Sequence, residues 1–461
     1  MLTYDLTAHH IPLYEALYRA IREDILQGRL PTGEKLPSKR ALADHLHISK
    51  ITVETAYGQL LAEGYIRARE KVGYFVEEVD RPRRAVPPAP APADPVSPPS
   101  CAADFTVNTI RGEDFPFSVW TKLLREVAAD RGGDLLSPLP NGGALELREA
   151  IAAYLSDFRA MTVDPGCILV GAGTDFLYNL LVQLLGRDLG YGVEDPGYGK
   201  ILEVYKANGV RCLPIPMDED GVLPQALSGV DVLHISPAHH FPTGSVMPIR
   251  RRQALLEWAA QAPRRYMIED DYDSEFRFTG RPIPPMQAMD GAGRVIYINS
   301  FSKSISPAIR ISYMILPPKL MERFRRELGF YACTVSSFEQ YTLARFMSEG
   351  YFEKHLSRMK KRYRAQRNEL IALLRQEPLG RRLRILEKDA GLHFLLEVDT
   401  DLSDRALTQG LLDRGVRVRC LSDYYHGAGP RPEHCLVVNY TGATRDQALL
   451  LRRALEQVLG E

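Results

Sequence analysis

The sequence predicts a multidomain protein, in which a small helical domain with a β-ribbon precedes a large α/β domain that ends in a smaller α+β unit. Three observations predict it. At 461 residues the chain is too long for one ordinary core. The stretch "RPRRAVPPAPAPADPVSPPS" at 81–100 is too rich in proline to form a helix or a central strand. After it, strand-like apolar runs alternate with helical stretches, as in a mostly parallel sheet covered by helices.

We therefore expect a small N-terminal domain over 1–79, a Pro/Ala-rich linker over 80–103 and a large domain over 104–461. The composition, with 45% hydrophobic and 25% charged residues and no net charge, is that of a globular protein. No run of eighteen apolar residues and no signal peptide is found, which indicates a cytoplasmic protein without a membrane span. Six cysteines without CxxC spacing argue against a metal site or a disulfide framework.

The N-terminal elements are predicted in chain order. An apolar stripe in "YEALYRAIREDILQG" indicates a helix that ends at Gly28. Ser38 is expected to cap a short helix over "KRALADHL", and Ser49 a second helix that runs to about Glu63. The inward face of that second helix is predicted to comprise Val53, Ala56, Tyr57, Leu60 and Leu61. The alternating stretch "YIRAREKVGYFVEE" then predicts a β-ribbon.

Two short helices followed by a ribbon are typical of a winged helix-turn-helix, whose second helix enters the major groove of DNA. Residues 35–76 hold 7 Lys+Arg against 4 Asp+Glu, so positive charge concentrates where DNA would lie. The alternative is a helical hairpin used for dimerisation or protein binding. The residues expected at double-stranded DNA are Arg40, Ser49, Lys50, Thr52, Lys71 and Gly73.

The stretch "GRLPTGEKLPSKRALADHLHISKITVETAYGQLLAEGYIRAREKVGYFV" resembles the DNA-binding domain of GntR-type bacterial regulators over nearly its whole length. The resemblance implies that Arg40, Ser49, Lys50 and Thr52 contact DNA and that Gly73 lies in the wing. One departure is visible, because the wing usually contains glycine-x-glycine and here contains "EKVG".

In the large domain, "NSFSKSISPAIRIS" at 299–312 isolates Lys303 among serines, with Arg310 seven residues on. A lysine whose pKa is lowered by its surroundings can bond to the aldehyde of pyridoxal phosphate. That cofactor also requires a phosphate cradle, a carboxylate at its pyridine nitrogen and an aromatic face.

The chain offers a candidate for each requirement. A strand, a Gly-x-Gly turn and a helix in "ILVGAGTDFLYNLL" place Ala172, Gly173 and Thr174 at a helix start. Tyr198 follows a strand and suits stacking, and "YMIEDDYDSEF" ends a strand with an acidic run that contains Asp270. Taken singly, each could be a packing or surface residue; their joint order favours a cofactor site.

Residues from about 104 to 461 resemble fold-type I aminotransferases, and the whole chain resembles the MocR class of GntR regulators, most clearly in "IEDDYDSEF" and "SFSKSISPAIRISYMILP". The resemblance implies an α/β fold-type I PLP-dependent transferase-like domain, a head-to-tail homodimer and a covalent bond at Lys303, the catalytic lysine. It places Asp270 at the pyridine nitrogen, Tyr272 at the ring hydroxyl and Tyr198 against the ring. The phosphate would be held by Ala172, Gly173, Thr174, Ser300 and Arg310.

Two departures bear on function. Aminotransferases have Asn-Pro-x-Gly where this chain has "HHFPTG" at 239–244, so Phe241 replaces the asparagine. They also carry a carboxylate-binding arginine at the position of Val437; Arg417, Arg419, Arg431 or Arg445 could substitute for it. We therefore expect a PLP-dependent transcriptional regulator. Its effector is either the cofactor itself, which would make the protein a vitamin B6 sensor, or an amino acid or related amine. The alternatives are an active aminotransferase with an accessory DNA-binding domain, for which half-transamination remains possible, and a cofactor-free scaffold.

Overall fold

The computed structural model describes residues 2–4, 6, 11–79, 101–280, 282–387 and 389–460. The chain divides into two compact units, Met1–Pro98 and Pro99–Glu461. Most of the predicted linker, 80–100, lies outside the described residues.

The first unit is a small helical domain with a two-stranded ribbon. Its elements are α1 (Leu13–Leu26), α2 (Lys39–Leu46), α3 (Lys50–Ala62), β1 (Ile66–Arg69) and β2 (Gly73–Val76). The predicted caps are confirmed, because Ser38 Oγ accepts a hydrogen bond from Ala41 N and Ser49 Oγ accepts one from Thr52 N, both at 3.1 Å. The ribbon strands pair antiparallel, as predicted.

The core of this unit lies between α1, α3 and the ribbon. Val53, Ala56, Tyr57 and Leu60 are buried, as the apolar stripe of α3 predicts. The prediction for Leu61 is wrong, since 39% of it is exposed; at the next position after Leu60 it turns about 100° away from the core. The buried face of α3 therefore runs from Val53 to Leu60 and does not include Leu61.

The second unit alternates helices and strands. Its helices are α4 (Phe117–Arg131), α5 (Leu145–Arg159), α6 (Thr174–Leu185), α7 (Gly199–Ala207), α8 (Ile249–Ala260), α9 (Pro318–Glu327), α10 (Ser337–Ser348), α11 (Tyr351–Leu374), α12 (Asp404–Leu412) and α13 (Arg445–Leu459). Its strands are β3 (Ala103–Asp104), β4 (Ile168–Gly171), β5 (Gly190–Asp195), β6 (Arg211–Asp218), β7 (Gly221–Val222), β8 (Val232–Ile235), β9 (Tyr266–Asp270), β10 (Val295–Ser300), β11 (Ser312–Ile315), β12 (Leu383–Leu386), β13 (His393–Val398), β14 (Val416–Arg417), β15 (Arg419–Cys420) and β16 (Cys435–Asn439).

An eight-stranded sheet organises this unit, in the order β4-β11-β10-β9-β8-β5-β6-β7. Strands β10, β9, β8, β5 and β6 are parallel, which confirms the mostly parallel sheet, while β11 runs antiparallel to both of its neighbours. Because parallel strands end at one edge, the residues that follow β5, β8, β9 and β10 meet there, where such sheets bind ligands.

A smaller four-stranded antiparallel sheet, β12-β13-β16-β15, forms the predicted C-terminal α+β unit together with α12 and α13. The first strand after the linker, β3, pairs in parallel with β14 of this unit, which the sequence did not predict. Within the described residues no helix is both long and apolar enough to cross a membrane.

Candidate cofactor pocket and DNA-binding surface

The carboxyl edge of the large sheet opens into a cavity of about 380 Å³. Seven of the predicted cofactor residues line it: Thr174, Tyr198, Asp270, Tyr272, Ser300, Lys303 and Arg310. Ala172 and Gly173 lie in the turn just before Thr174 but do not line the cavity. The sheet thus brings together residues that are up to 136 positions apart between Thr174 and Arg310.

Lys303 lies in the turn after β10, with its side chain partly exposed to the cavity. Burial lowers the pKa of the Lys303 amine, and the carboxylate of Asp273 opposes that shift. A lowered pKa increases the uncharged fraction, which is the form that attacks an aldehyde.

Asp270 ends β9 and is only 7% exposed. Tyr178 donates a hydrogen bond of 2.5 Å to its Oδ2, and His234 Nε2 lies 3.5 Å from the same oxygen. The other oxygen, Oδ1, is buried without a partner among the described residues. A carboxylate oxygen left unpaired beside a cavity is suited to accept a hydrogen bond from a protonated ring nitrogen.

Sequence reasoning missed Tyr178 and His234. Tyr178 lies one helical turn after Thr174 in α6, and His234 lies on β8, next to β9. Tyr205 holds the other nitrogen of His234, with its hydroxyl 2.8 Å from Nδ1. The available signal was the polar His234 inside the apolar run "DVLHI", which marks a buried polar group that needs partners.

The turn from β4 into α6 is where the phosphate is predicted to bind. Gly173 has φ +92°, and a Cβ built on it would overlap the guanidinium of Arg310. Arg310 Nη2 donates to Ala172 O at 3.2 Å and lies 3.7 Å from Asp175, which Lys200 also pairs at 2.6 Å. The backbone N–H of Ala172 donates to Thr334 Oγ1, so in this structure it points away from the cavity.

Tyr198 stands at the cavity rim, where 53% of it is exposed. Its ring meets the ring of Phe241 edge-on at 6.0 Å, and Phe241 in turn contacts Tyr424 at 5.1 Å. Phe241 lines the cavity, so the position of the aminotransferase asparagine carries an apolar ring here.

The strand that would carry the carboxylate-binding arginine is β16, in which Val437 is fully buried. Arg417 pairs with Asp104 at 3.0 Å. Arg445, the first residue of α13, pairs with Glu369 of α11 at 3.4 Å. Arg431 donates to main-chain carbonyls. Arg419 is the cross-strand neighbour of Val437 and affects the pKa of both Tyr198 and Tyr424, which places it near the rim.

In the first unit, Arg40 and Lys50 are exposed at the starts of α2 and α3. Ser49 and Thr52 bond each other through their hydroxyls at 2.8 Å, so the cap partly occupies them. Between them Ile51 is 74% exposed, an apolar group at the helix start that the sequence did not single out. Lys71 and Gly73 lie at the ribbon turn with φ values of +58° and +132°.

Two protein families match the chain. The family described as "Bacterial regulatory proteins, gntR family" matches residues 13–76, and "Aminotransferase class I and II" matches residues 103–454. A crystal structure of an archaeal alanine:glyoxylate aminotransferase is 22% identical, with a TM-score of 0.69 over 78% of this chain and 90% of that one. At that identity the likeness shows the fold alone.

Three curated relatives cover nearly the whole chain. YdeL of Bacillus subtilis, an uncharacterized HTH-type transcriptional regulator, is 38% identical over 90% of both chains. The probable rhizopine catabolism regulatory protein MocR of Rhizobium meliloti is 32% identical over 96% of this chain and 92% of its own. PdxR of Corynebacterium glutamicum, an HTH-type pyridoxine biosynthesis transcriptional regulator, is 31% identical over 90% and 89%. The chain therefore belongs to the MocR class of HTH-type transcriptional regulators, which join a gntR-family DNA-binding domain to an aminotransferase class I and II domain.

Proposed function

We propose that this regulator binds pyridoxal phosphate covalently through Lys303 and that occupancy of the cavity changes how its winged helix binds operator DNA. The observation that carries the proposal is the pairing, in one cavity, of a lysine whose pKa is lowered by burial with the unpartnered Oδ1 of Asp270. When bound, the cofactor supplies an aldehyde for the amine and an electron-withdrawing ring.

The residues present fit that group. Asp270 is held by Tyr178 and His234 on one oxygen, which leaves the other to accept from the pyridine nitrogen. Arg310 approaches Gly173 so closely that no side chain fits between them, and a phosphate at this helix start would meet its charge and the amides of α6. Lys200 and Arg310 already neutralise Asp175, so a phosphate would compete with a carboxylate for two cations.

The proposal keeps the domain limits 1–79, 80–103 and 104–461. A homodimer would present two winged helices, so its operator should contain two half-sites whose permitted spacing depends on linker reach. A regulator of chromosomal DNA acts in the cytoplasm. Arg40, Lys50 and the ribbon turn at Lys71 supply the exposed DNA-facing positive charge.

Two effectors suit the site. The cofactor itself is favoured by Val437, because a buried valine cannot bind a carboxylate, and the pyridoxine biosynthesis regulator among the relatives fits this choice. An amine that also carries a carboxylate is favoured by Arg419, which stands across from Val437. Either ligand must bind the DNA-competent and DNA-incompetent states with different affinities, since otherwise it does not shift the equilibrium between those two states.

The deciding experiment titrates cofactor-free protein on its own upstream DNA with pyridoxal phosphate, and then adds single amino acids. Wild type should form an adduct on the Lys303 peptide that borohydride fixes for mass spectrometry, whereas Lys303→Ala should form none and should lose the cofactor response. Arg40→Ala should weaken DNA binding and keep the adduct. A colourless wild type without that adduct would overturn the proposal. Sustained turnover with a keto acid would instead favour the aminotransferase alternative.

A further inference from the structure

A buried histidine–carboxylate pair lies behind Tyr272. His239 Nδ1 is 2.9 Å from Asp273 Oδ2 and 3.1 Å from the hydroxyl of Tyr272. His239 and Asp273 are 4% and 2% exposed. They follow β8 and β9, two neighbouring parallel strands, so the sheet itself brings them together.

The chemistry of His239, Asp273 and Tyr272 indicates which group donates a hydrogen bond and which accepts one. A carboxylate oxygen is an acceptor, so in the contact between His239 and Asp273 the ring nitrogen Nδ1 is the donor. Gly391 packs beside Cε1 of the ring so closely that a Cβ there would overlap Cε1 and both ring nitrogens, which restricts how the ring can turn. Tyr272 lines the cavity, and on the side away from the cavity its hydroxyl contacts the ring of His239, which is itself bonded to Asp273.

The same carboxylate acts on the lysine. Asp273 raises the pKa of Lys303 against the effect of burial, so its charge reaches the amine. The titratable and charged groups that face the pair from the surrounding elements are Tyr272, Lys303, His240, His393, Arg277 and Tyr440. Burial lowers the pKa of His240 to about 3 and lowers that of His393, so both rings are neutral near pH 7.

The arrangement compensates for Phe241. An asparagine amide there would be a second polar partner for the ring hydroxyl of the cofactor, and phenylalanine offers none. Of the two partners that the resemblance to aminotransferases assigns to that hydroxyl, Tyr272 is the one this chain retains, so its orientation matters more than in a site with two partners.

We infer that His239 and Asp273 are positioning residues, which orient the hydroxyl of Tyr272 toward the ring hydroxyl of bound pyridoxal phosphate. This inference rests on the proposed function. A metal ion held by His239, Asp273 and His393 is disfavoured, because the adjoining cavity of about 10 Å³ has room for a single water and Gly391 fills the free edge of the ring.

The test uses the full chain loaded with pyridoxal phosphate and follows its visible absorption band against pH. Asp273→Asn keeps the shape and removes the charge, so the pH midpoint of the band should fall by about one unit or more, the usual effect of losing a nearby opposite charge. His239→Gln should lower the pH midpoint of the band by a smaller amount than Asp273→Asn does. Combining His239→Gln with Tyr272→Phe should add nothing to Tyr272→Phe alone, since His239 acts through Tyr272. His434→Gln, a partly exposed histidine outside the cavity lining, is the matched control.

Unchanged midpoints in folded Asp273→Asn and His239→Gln, or additive shifts of His239→Gln and Tyr272→Phe, would overturn the inference and leave the proposed function standing. If Asp273→Asn does not fold, the His239→Gln and Tyr272→Phe cycle decides alone. A wild type that shows neither band nor adduct overturns both.

Discussion

Arg419 on β15 stands directly opposite Val437 on β16, so the two side chains leave the small sheet on the same face. Val437 is fully buried in an apolar cluster with Leu395 and Tyr424. Arg419 is exposed and hydrogen-bonds to the side chain of Tyr424, and among the described residues it pairs with no carboxylate. The positive charge that aminotransferases carry at the valine position is thus available one strand away.

If an amine with a carboxylate is the effector, Arg419→Ala should weaken its binding while the cofactor stays attached. A hydrogen bond to a charged group contributes about 1.5–3 kcal/mol, so the affinity should fall roughly 10- to 150-fold. Titration calorimetry on cofactor-loaded protein measures it. Arg445→Ala is the control, since that arginine pairs with Glu369 at the start of α13. An effector that binds both variants equally would rule out Arg419.

If the phosphate binds at this turn as proposed, Gly173→Ala should reduce retention of pyridoxal phosphate, because the new Cβ would displace the guanidinium of Arg310. The φ of +92° adds backbone strain of about 1–2 kcal/mol for any residue with a Cβ. Gly209→Ala separates the two effects. Its φ is +74° and nothing lies within 4 Å of its Cβ, so it should lose stability alone. Equilibrium dialysis and thermal unfolding of both variants give the comparison; equal cofactor loss in both would contradict the role of Arg310.

Ser49 caps α3 and is predicted to contact DNA, and substitutions can separate the two roles. Its hydroxyl caps α3, so Ser49→Ala should destabilise the first unit by about 1 kcal/mol. Ser49→Asn keeps a cap and should preserve stability. Ser49→Asp also caps, but its charge repels phosphate, so operator binding should fall with no loss of stability. Denaturant unfolding and DNA-binding titrations provide the measurements. Unchanged operator affinity in Ser49→Asp would show that this helix start does not face DNA.

The sequence was sufficient where a signal was local. The caps Ser38 and Ser49, the alternation of strands and helices, and the cavity positions of Lys303 and Asp270 each follow from a short motif. Leu61 failed for a local reason too, since one residue beyond a stripe changes the face of a helix.

What the sequence could not predict depends on contacts between distant segments. His239 meets Asp273 across 34 positions, and Tyr178 meets Asp270 across 92. Strand order decides both pairings, and a single sequence does not contain it. Arg419 could be told from Arg417, Arg431 and Arg445 only after the register of β15 with β16 was known.

Glu194 ends β5, lines the cavity and is 8% exposed. Burial raises its pKa from 4.5 to about 8, although the backbone N–H of Ser236, 2.9 Å from Oε2, opposes the shift. Because the folded state holds this proton more tightly than the unfolded chain, its contribution to stability is complete below pH 4.5 and is lost as pH rises to about 8.

Glu194→Gln cannot ionise and keeps the shape, so the free energy of unfolding of the variant relative to wild type should rise between those two pH values, by about 1.4 kcal/mol per pKa unit at most. Cofactor-free protein should be used, since a bound phosphate adds its own charge. Burial lowers the pKa of His240, 3.5 Å from Glu194, from 6.5 to about 3, so its own contribution to stability changes between those pH values in both proteins and cancels in the difference. Glu126→Gln is the control, since that carboxylate is half-exposed and pairs with Lys122 on the surface of α4. A difference between Glu194→Gln and wild type that stays flat with pH would show that Glu194 is already ionised, and would place a second negative charge near Asp270 in the cavity.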